Sequence, residues 1–170
     1  MRLTTQTNST LCQIPDGVAG TRATLLIMRD VARQGKRSAP IRLTAAQLIN
    51  HINSGNTKNW HNEIKILHRF VRDRIRYVKD IKGVETIQTP DKTLEFGYGD
   101  CDDKSTLLAT LLEVIGHPAR FVAVGFQPNN YSHVYVETLL GNKWIALETT
   151  ENVSAGWHPK NIKAKITVNI

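Results

Sequence analysis

The sequence predicts an α+β fold in which N-terminal helices, including one that begins near the second cysteine, pack on an antiparallel β-sheet. Three observations support this prediction. Up to residue 115, apart from residues 79–100, apolar residues recur every three or four positions in several segments, which is the helical period. After residue 119 the pattern changes to short apolar runs, two of which flank a two-residue Gly141-Asn142 turn. Because helices precede strands, the order excludes the alternating units of a parallel α/β fold.

Two helices are predicted in the first third of the chain. Apolar residues over Leu25–Ala32 follow helical spacing, and Gly35 is expected to end the first helix. Pro40 is expected to delay the second helix. Thr44 and Gln47 have the spacing of a capping box, so the second helix is predicted to begin at Thr44.

The third predicted helix is the most regular, with apolar residues advancing by three or four positions from Trp60 to Val78. Lysines and arginines lie between them. We interpret this basic face as solvated, because it lacks the exposed aromatic residues that stack on nucleic-acid bases. Residues 79–100 show no helical period and are predicted to form a long loop, a kind of segment that often carries function.

The last third of the chain predicts one helix and a sheet. A fourth helix with a wide apolar face begins near Cys101. Residues 120–126 are predicted to form a buried strand, and His133–Leu140 and Lys143–Thr149 a hairpin. Residues 165–170 alternate in polarity and are expected to add a last strand.

Composition limits the class of protein. The chain has 170 residues, of which 41% are hydrophobic, enough to bury a core, and no apolar run is long enough to span a membrane. Two cysteines and a polar N-terminus favour a reducing compartment without a secretory signal. The net charge of +7 would suit an anionic partner, although a solvated surface is the preferred interpretation. We expect a loose arm over residues 1–20 and a single domain over residues 21–170.

The segment from Gly97 to Asp103 carries the clearest chemical signal. Its glycines allow a sharp turn, and Cys101 then lies in the first turn of a helix. Unpaired N–H groups and the helix dipole there favour a thiolate and can stabilise an oxyanion. Asp102 and Asp103 oppose thiolate formation. A nucleophilic Cys101 therefore needs an imidazolium partner.

The predicted hairpin supplies that partner. With a two-residue turn, counting back along both strands places Tyr135 opposite Glu148 and makes His133 a diagonal neighbour of Glu148 on the same face. A carboxylate bonded to one ring nitrogen fixes the tautomer and leaves the other nitrogen to face a thiol. A lone cysteine, strand histidine or strand glutamate is usually structural, but this combination favours a site.

Three ordered motifs resemble the transglutaminase-like superfamily of cysteine enzymes, which has a papain-like core. They are Gly99–Asp103 with the leucines that follow it, Ser132–Glu137 and Lys143–Thr150. The resemblance covers residues 60–150. In addition, Gly20–Leu25 resembles small members encoded by bacteriophages, which implies the cytoplasm of a bacterial host or a virion.

The resemblance implies that Cys101 is the nucleophile, His133 the general base and acid, and Glu148 the acid that orients the imidazole. The family usually has aspartate where this chain has Glu148, so a member that has lost activity also fits. Gln88 precedes the cysteine and is a candidate second oxyanion donor, with an ordinary loop glutamine as the alternative. Tyr98 is a candidate for lining the substrate cleft, with packing as the alternative.

A thiol that attacks an amide carbonyl forms a thioester, which water or an amine then resolves. We therefore expect a peptide or protein substrate, no cofactor, no metal site and no membrane. Hydrolysis by a peptidase or amidase is ranked first, and transglutaminase-type crosslinking is the first alternative. The second is a non-catalytic peptide-binding or phage assembly module. Nucleic-acid binding ranks last, because only the positive charge supports it.

Overall fold

The computed structural model of the chain describes residues 14–15, 17–50, 52, 58–80 and 86–170. Within them, all five helices precede the four strands of the main sheet, which confirms the predicted α+β class. In chain order the elements are α1 (Gly17–Gly35), α2 (Ala39–Asn50), α3 (Trp60–Arg74), β1 (Arg76–Tyr77), α4 (Pro90–Phe96), β2 (Tyr98–Gly99), α5 (Cys101–Val114), β3 (Ala119–Gly125), β4 (His133–Leu140), β5 (Lys143–Leu147) and β6 (Ala164–Asn169).

The first helix is longer than predicted. α1 begins at Gly17, so residues 17–20 are its first turn and not the end of an arm. A Cβ atom at Gly20 would lie 1.7 Å from the carbonyl oxygen of Pro15, so glycine is required where the preceding segment crosses the helix. The backbone of Pro15 therefore lies against the side of α1.

The predicted start of the second helix is wrong, because α2 begins at Ala39 and not at Thr44. The Ser38 hydroxyl accepts a hydrogen bond from the N–H of Ile41 at 3.4 Å and caps the helix. Pro40 lies in the first turn, where a missing N–H leaves no intrahelical hydrogen bond unmade. The apparent capping box at Thr44 therefore lies inside the helix.

The third helix ends earlier than predicted. α3 stops at Arg74, and Ile75 has an extended backbone with φ −99° and ψ 111°. The chain then forms β1, whose Tyr77 pairs in parallel with Gly99 of β2. Sequence periodicity could not predict this end, since Val78 continues the helical spacing while the backbone is recruited by a strand distant in sequence.

The predicted long loop contains a helix. Thr89 caps α4 by accepting a hydrogen bond from the N–H of Lys92 at 3.4 Å, and Pro90 occupies its first position. Gly97 ends the helix in the left-handed conformation with φ 68°. The start and stop residues of a short helix were thus present in the sequence.

α5 is the centre of the fold. It packs against β4 and β3 on one side and against α1, α2, α3 and α4 on the others. Every residue from Asp102 to Leu112 is buried, so this part of the helix is enclosed on all sides and buries polar side chains as well as its wide apolar face. The main sheet has four antiparallel strands in the order β5-β4-β3-β6. No helix in the described part of the chain is long and apolar enough to cross a membrane.

The β4–β5 hairpin has the predicted register. Leu140 lies opposite Lys143, and Gly141 adopts φ 61° in the turn, as a tight hairpin requires. β5 ends at Leu147 rather than at Thr149. Because the same register continues from the turn to the pair Val136–Leu147, the hairpin contains no bulge that would move the following residues to the other face.

We expect that Leu108→Ala lowers the free energy of unfolding by roughly 2–5 kcal/mol, because it opens a cavity beside α5. The Leu108 side chain is completely buried. Leu43 is 59% exposed, and Leu43→Ala is the matched control, with an expected change within about 0.5 kcal/mol. Urea denaturation measures both, and an equal cost for the two variants would contradict this description of the core.

Candidate active site

A capping box fixes the position of the cysteine at the start of α5. Asp100 accepts hydrogen bonds from the N–H groups of Asp102 and Asp103 at 2.9 and 3.2 Å. In return, Asp103 accepts one from the N–H of Asp100 at 3.3 Å. A Cβ atom at Gly99 would lie 2.5 Å from Cβ of Asp103, so only glycine fits before the cap. Cys101 is therefore held at the first helical position.

Gln88 belongs to this cap and does not line the cavity at Cys101. Its backbone N–H and side-chain Nε2 donate to the carboxylate of Asp103 at 2.7 and 2.9 Å. Burial raises the pKa of Asp103 to about 6. The structure does not bring Gln88 and Cys101 together at one cavity, and the expectation that Gln88 is an oxyanion donor is not supported. Its contacts hold the segment before α4 on α5.

Tyr98 also lies outside the cavity, contrary to the expectation that it lines the cleft. Its ring stacks on Phe96 with centroids 5.6 Å apart. Tyr77 of β1 lines the cavity instead, and burial together with neighbouring acidic groups raises its pKa. Sequence analysis missed Tyr77 because the helical period extends through it. Only the pairing of β1 with β2 places it beside the cysteine turn.

A cavity of about 740 Å³ opens at Cys101. One wall is the start of β4 with Ser132 and His133, and another is the N-terminal half of α1. Pro15 contributes to the rim through its contact with α1. The cysteine and the histidine predicted from sequence therefore line a single cavity.

His133 and Glu148 form the hydrogen bond that the hairpin register predicted. Nε2 of His133 lies 2.6 Å from Oε2 of Glu148. The other carboxylate oxygen accepts hydrogen bonds from the N–H and hydroxyl of Thr150 at 2.7 and 2.8 Å. Burial opposes ionisation, but the hydrogen bonds from His133 and Thr150 outweigh it and lower the pKa of Glu148. The longer glutamate thus reaches the imidazole as an ionised acid.

The environment of Cys101 opposes a resting thiolate. Burial and the carboxylates of Asp102 and Asp100 raise the pKa of the thiol, and the nearby N–H of Val134 acts in the opposite direction. The sulfur donates a hydrogen bond to Asp102 at 3.4 Å. The expected benefit of the helix N-terminus is therefore outweighed, and the cysteine is a neutral thiol at neutral pH.

One group among the described residues has the geometry for a metal ion. Asp100, Cys101 and Asp102 offer ligand atoms within 4.8 Å of one another. However, Asp100 already caps α5 and Asp102 accepts the thiol hydrogen bond. These acids thus serve the helix N-terminus and the sulfur, and their geometry gives no separate reason to assign a metal.

Comparison with known families supports the resemblance seen in the motifs. The family model of the transglutaminase-like superfamily matches residues 46–149. A search of curated protein sequences finds no match to the chain.

Solved structures share the fold at low identity. A suspected protease from Parabacteroides distasonis has TM-score 0.60 and 15% identity, over 84% of this chain and 31% of its own. A suspected cysteine protease from Cytophaga hutchinsonii has TM-score 0.53 and 16% identity, and the match covers 76% of this chain and 46% of that one. A chain in the Rad4/XPC nucleotide excision repair complex has TM-score 0.56 and 10% identity, and the match covers 87% of this chain and 45% of that one. This chain spans less than half of each, and the likeness shows the fold alone.

A buried lysine lies in the first turn of α5, three residues after Cys101. Lys104 of α5 is 2% exposed, and its Nζ donates to the carbonyl oxygens of Arg72 and Ile75 at 3.3 and 2.6 Å. Burial lowers the pKa of Lys104 to about 8. The lysine therefore joins the C-terminal end of α3 to the helix that carries the cysteine.

We expect Lys104 to contribute an increase in the free energy of unfolding between about pH 8 and 10.5, because in this window the unfolded chain keeps a proton that folded Lys104 has released. The raised pKa of the Cys101 thiol contributes in the opposite direction, so the Lys104 contribution is measured as a difference between variants. Lys104→Met should remove up to roughly 3 kcal/mol of this increase. The exposed Lys160→Met is the control and should keep it. Urea denaturation at both pH values measures the free energy of unfolding. An equal change with pH in Lys104→Met and wild type would contradict the lowered pKa of Lys104.

Proposed function

The chain belongs to the transglutaminase-like superfamily, and we propose that it catalyses acyl transfer from peptide amides through a thioester on Cys101. The observation that carries the proposal is the 2.6 Å hydrogen bond between His133 and the buried, ionised Glu148. Both Cys101 and His133 line the same cavity. A buried carboxylate that fixes an imidazole beside a thiol is the arrangement that nucleophilic catalysis requires.

The first half of the reaction forms the thioester. Because Nε2 of His133 donates to Glu148, Nδ1 carries the lone pair and takes the proton of the Cys101 thiol. The sulfur bonds to the amide carbon, and the carbonyl π electrons move to oxygen. The imidazolium then gives its proton to the amine nitrogen as the C–N bond breaks, and the amine leaves.

The oxyanion is proposed to accept a hydrogen bond from the backbone N–H of Cys101. The N–H groups of Asp102 and Asp103 already bond to Asp100, so they are occupied by the cap. The first residue of the helix is the position where a developing negative charge also gains from the helix dipole.

The second half of the reaction releases the acyl group. Water attacks the thioester carbon while His133 takes its proton, and the sulfur leaves and recovers that proton. The products are a carboxylic acid and the free thiol. Hydrolysis is ranked ahead of crosslinking because water needs no binding site of its own, whereas an amine acceptor does.

A non-catalytic peptide-binding module is the second candidate. The raised pKa of the Cys101 thiol favours it, because burial and then the carboxylates of Asp102 and Asp100 oppose the charge that a nucleophile must carry. The two candidates differ in whether an acyl group ever becomes attached to the sulfur.

We expect that Glu148→Gln retains the fold but lowers turnover of a peptide amide by roughly 10²- to 10⁴-fold, because the imidazole loses its orienting charge. Glu151→Gln changes an exposed acid three residues away and should leave turnover unchanged. Cys101→Ala should abolish turnover. Cleavage of a peptide library, followed by mass spectrometry, gives the rates.

Intact mass spectrometry of the same mixtures tests for the intermediate. Wild type should carry an acyl adduct that hydroxylamine removes, and Cys101→Ala should carry none. A library that yields neither an adduct on Cys101, nor cleavage, nor incorporation of an added amine would favour the non-catalytic module.

A further inference from the structure

A second histidine, which is buried, contacts the backbone of Glu148. His68 lies in α3 with 1% of its surface exposed. Its Nε2 is 2.5 Å from the backbone carbonyl oxygen of Glu148. A carbonyl oxygen can only accept, so Nε2 carries the proton and the ring donates. Burial lowers the pKa of His68, which keeps the ring neutral. This tautomer leaves Nδ1 without a proton.

Glu148 needs such a contact because it lies beyond the end of a strand. The β4–β5 ladder stops at Leu147, so strand pairing does not fix the backbone of the next residue. The Glu148 side chain is held at both carboxylate oxygens, by His133 and by Thr150. Its backbone is held by the imidazole of His68. A glutamate has one more rotatable bond than an aspartate, so a fixed backbone matters more here.

α3 is a rigid base for this contact. Lys104 of α5 donates to the carbonyl oxygens of Arg72 and Ile75 near the end of α3. α5 also carries Cys101 at its first position. The same helix, α3, is therefore tied to the element that bears the thiol and to the residue that bears the acid.

From these contacts we infer that His68 is a positioning residue, which holds the backbone of Glu148 so that its carboxylate orients His133. The inference rests on the proposed function only for its kinetic consequence. Its structural consequence, a fixed Glu148, does not depend on catalysis. His68 does not touch the cavity and acts only through Glu148.

The test compares two side chains of nearly equal shape at this position. In His68→Gln the amide can donate to the carbonyl of Glu148, whereas in His68→Met no donor remains. His117 is the matched control, since it is also completely buried and its Nε2 bonds to Glu63 at 2.7 Å. His117→Gln and His117→Met alter a buried histidine that contacts Glu63 and not Glu148.

The first readout is hydrogen exchange at the amide of Thr150, which donates to Glu148 Oε1. Exchange should accelerate roughly five- to tenfold in His68→Met relative to the amide of Val122 in the sheet, because the acid loses its anchor. His68→Gln should restore the wild-type ratio, and both His117 variants should leave it unchanged. Equal ratios in His68→Met and His68→Gln, or an equal change in His117→Met, would overturn the inference.

The second readout is kinetic. His68→Met should lower kcat with KM unchanged, and His68→Gln should recover most of the loss. If wild type has no activity but Thr150 responds as expected, the proposed function fails and the positioning role stands. If wild type is active and neither kcat nor Thr150 exchange responds to His68→Met, the positioning role fails alone.

A measurement on the wild-type protein applies even where a variant does not fold. Long-range ¹H–¹⁵N NMR correlations report which ring nitrogen of His68 carries the proton. The inference requires a proton on Nε2 that exchanges slowly with water. A His68 ring protonated on Nδ1 alone cannot donate to Glu148 and would overturn it.

Discussion

The burial of α5 from Asp102 to Leu112 is the constraint on which the rest of the structure depends. Its buried N-terminus must satisfy its free N–H groups, and the carboxylates of Asp100 and Asp103 do so. The same burial and the same acidic turn raise the pKa of Cys101. The chain therefore combines a capped helix start with a thiol that resists ionisation, and the proposed reaction requires that deprotonation be coupled to attack on the substrate.

In the proposed reaction, the buried acid that bonds to His133 offsets this cost. Glu148 keeps its charge in a buried setting because hydrogen bonds from His133 and Thr150 satisfy its carboxylate. This carboxylate therefore lies against the imidazole that is proposed to receive the thiol proton. The fold also occurs in a DNA-repair complex, so the site and not the fold decides what this chain does.

The hairpin could be predicted from sequence because its register depends only on the two-residue turn, and no bulge intervenes between Leu140 and Lys143. The cap at Cys101 is likewise local. The positions of Gln88 and Tyr98 could not be predicted from the sequence. Gln88 is placed by its hydrogen bonds to Asp103, and Tyr98 by the pairing of β2 with β1. The sequence places His68 on the basic face of α3 that was interpreted as solvated, whereas the structure buries it, and nothing local indicates that it meets Glu148.

The most direct test of the account is the reaction of the protein with a small activated ester such as p-nitrophenyl acetate, which needs no knowledge of the natural substrate. The account predicts a burst of one nitrophenolate per chain, an acetyl group mapped to Cys101, and slower acylation in His133→Ala. Absence of a burst, or acylation of Cys101 at the same rate in wild type and His133→Ala, would contradict it.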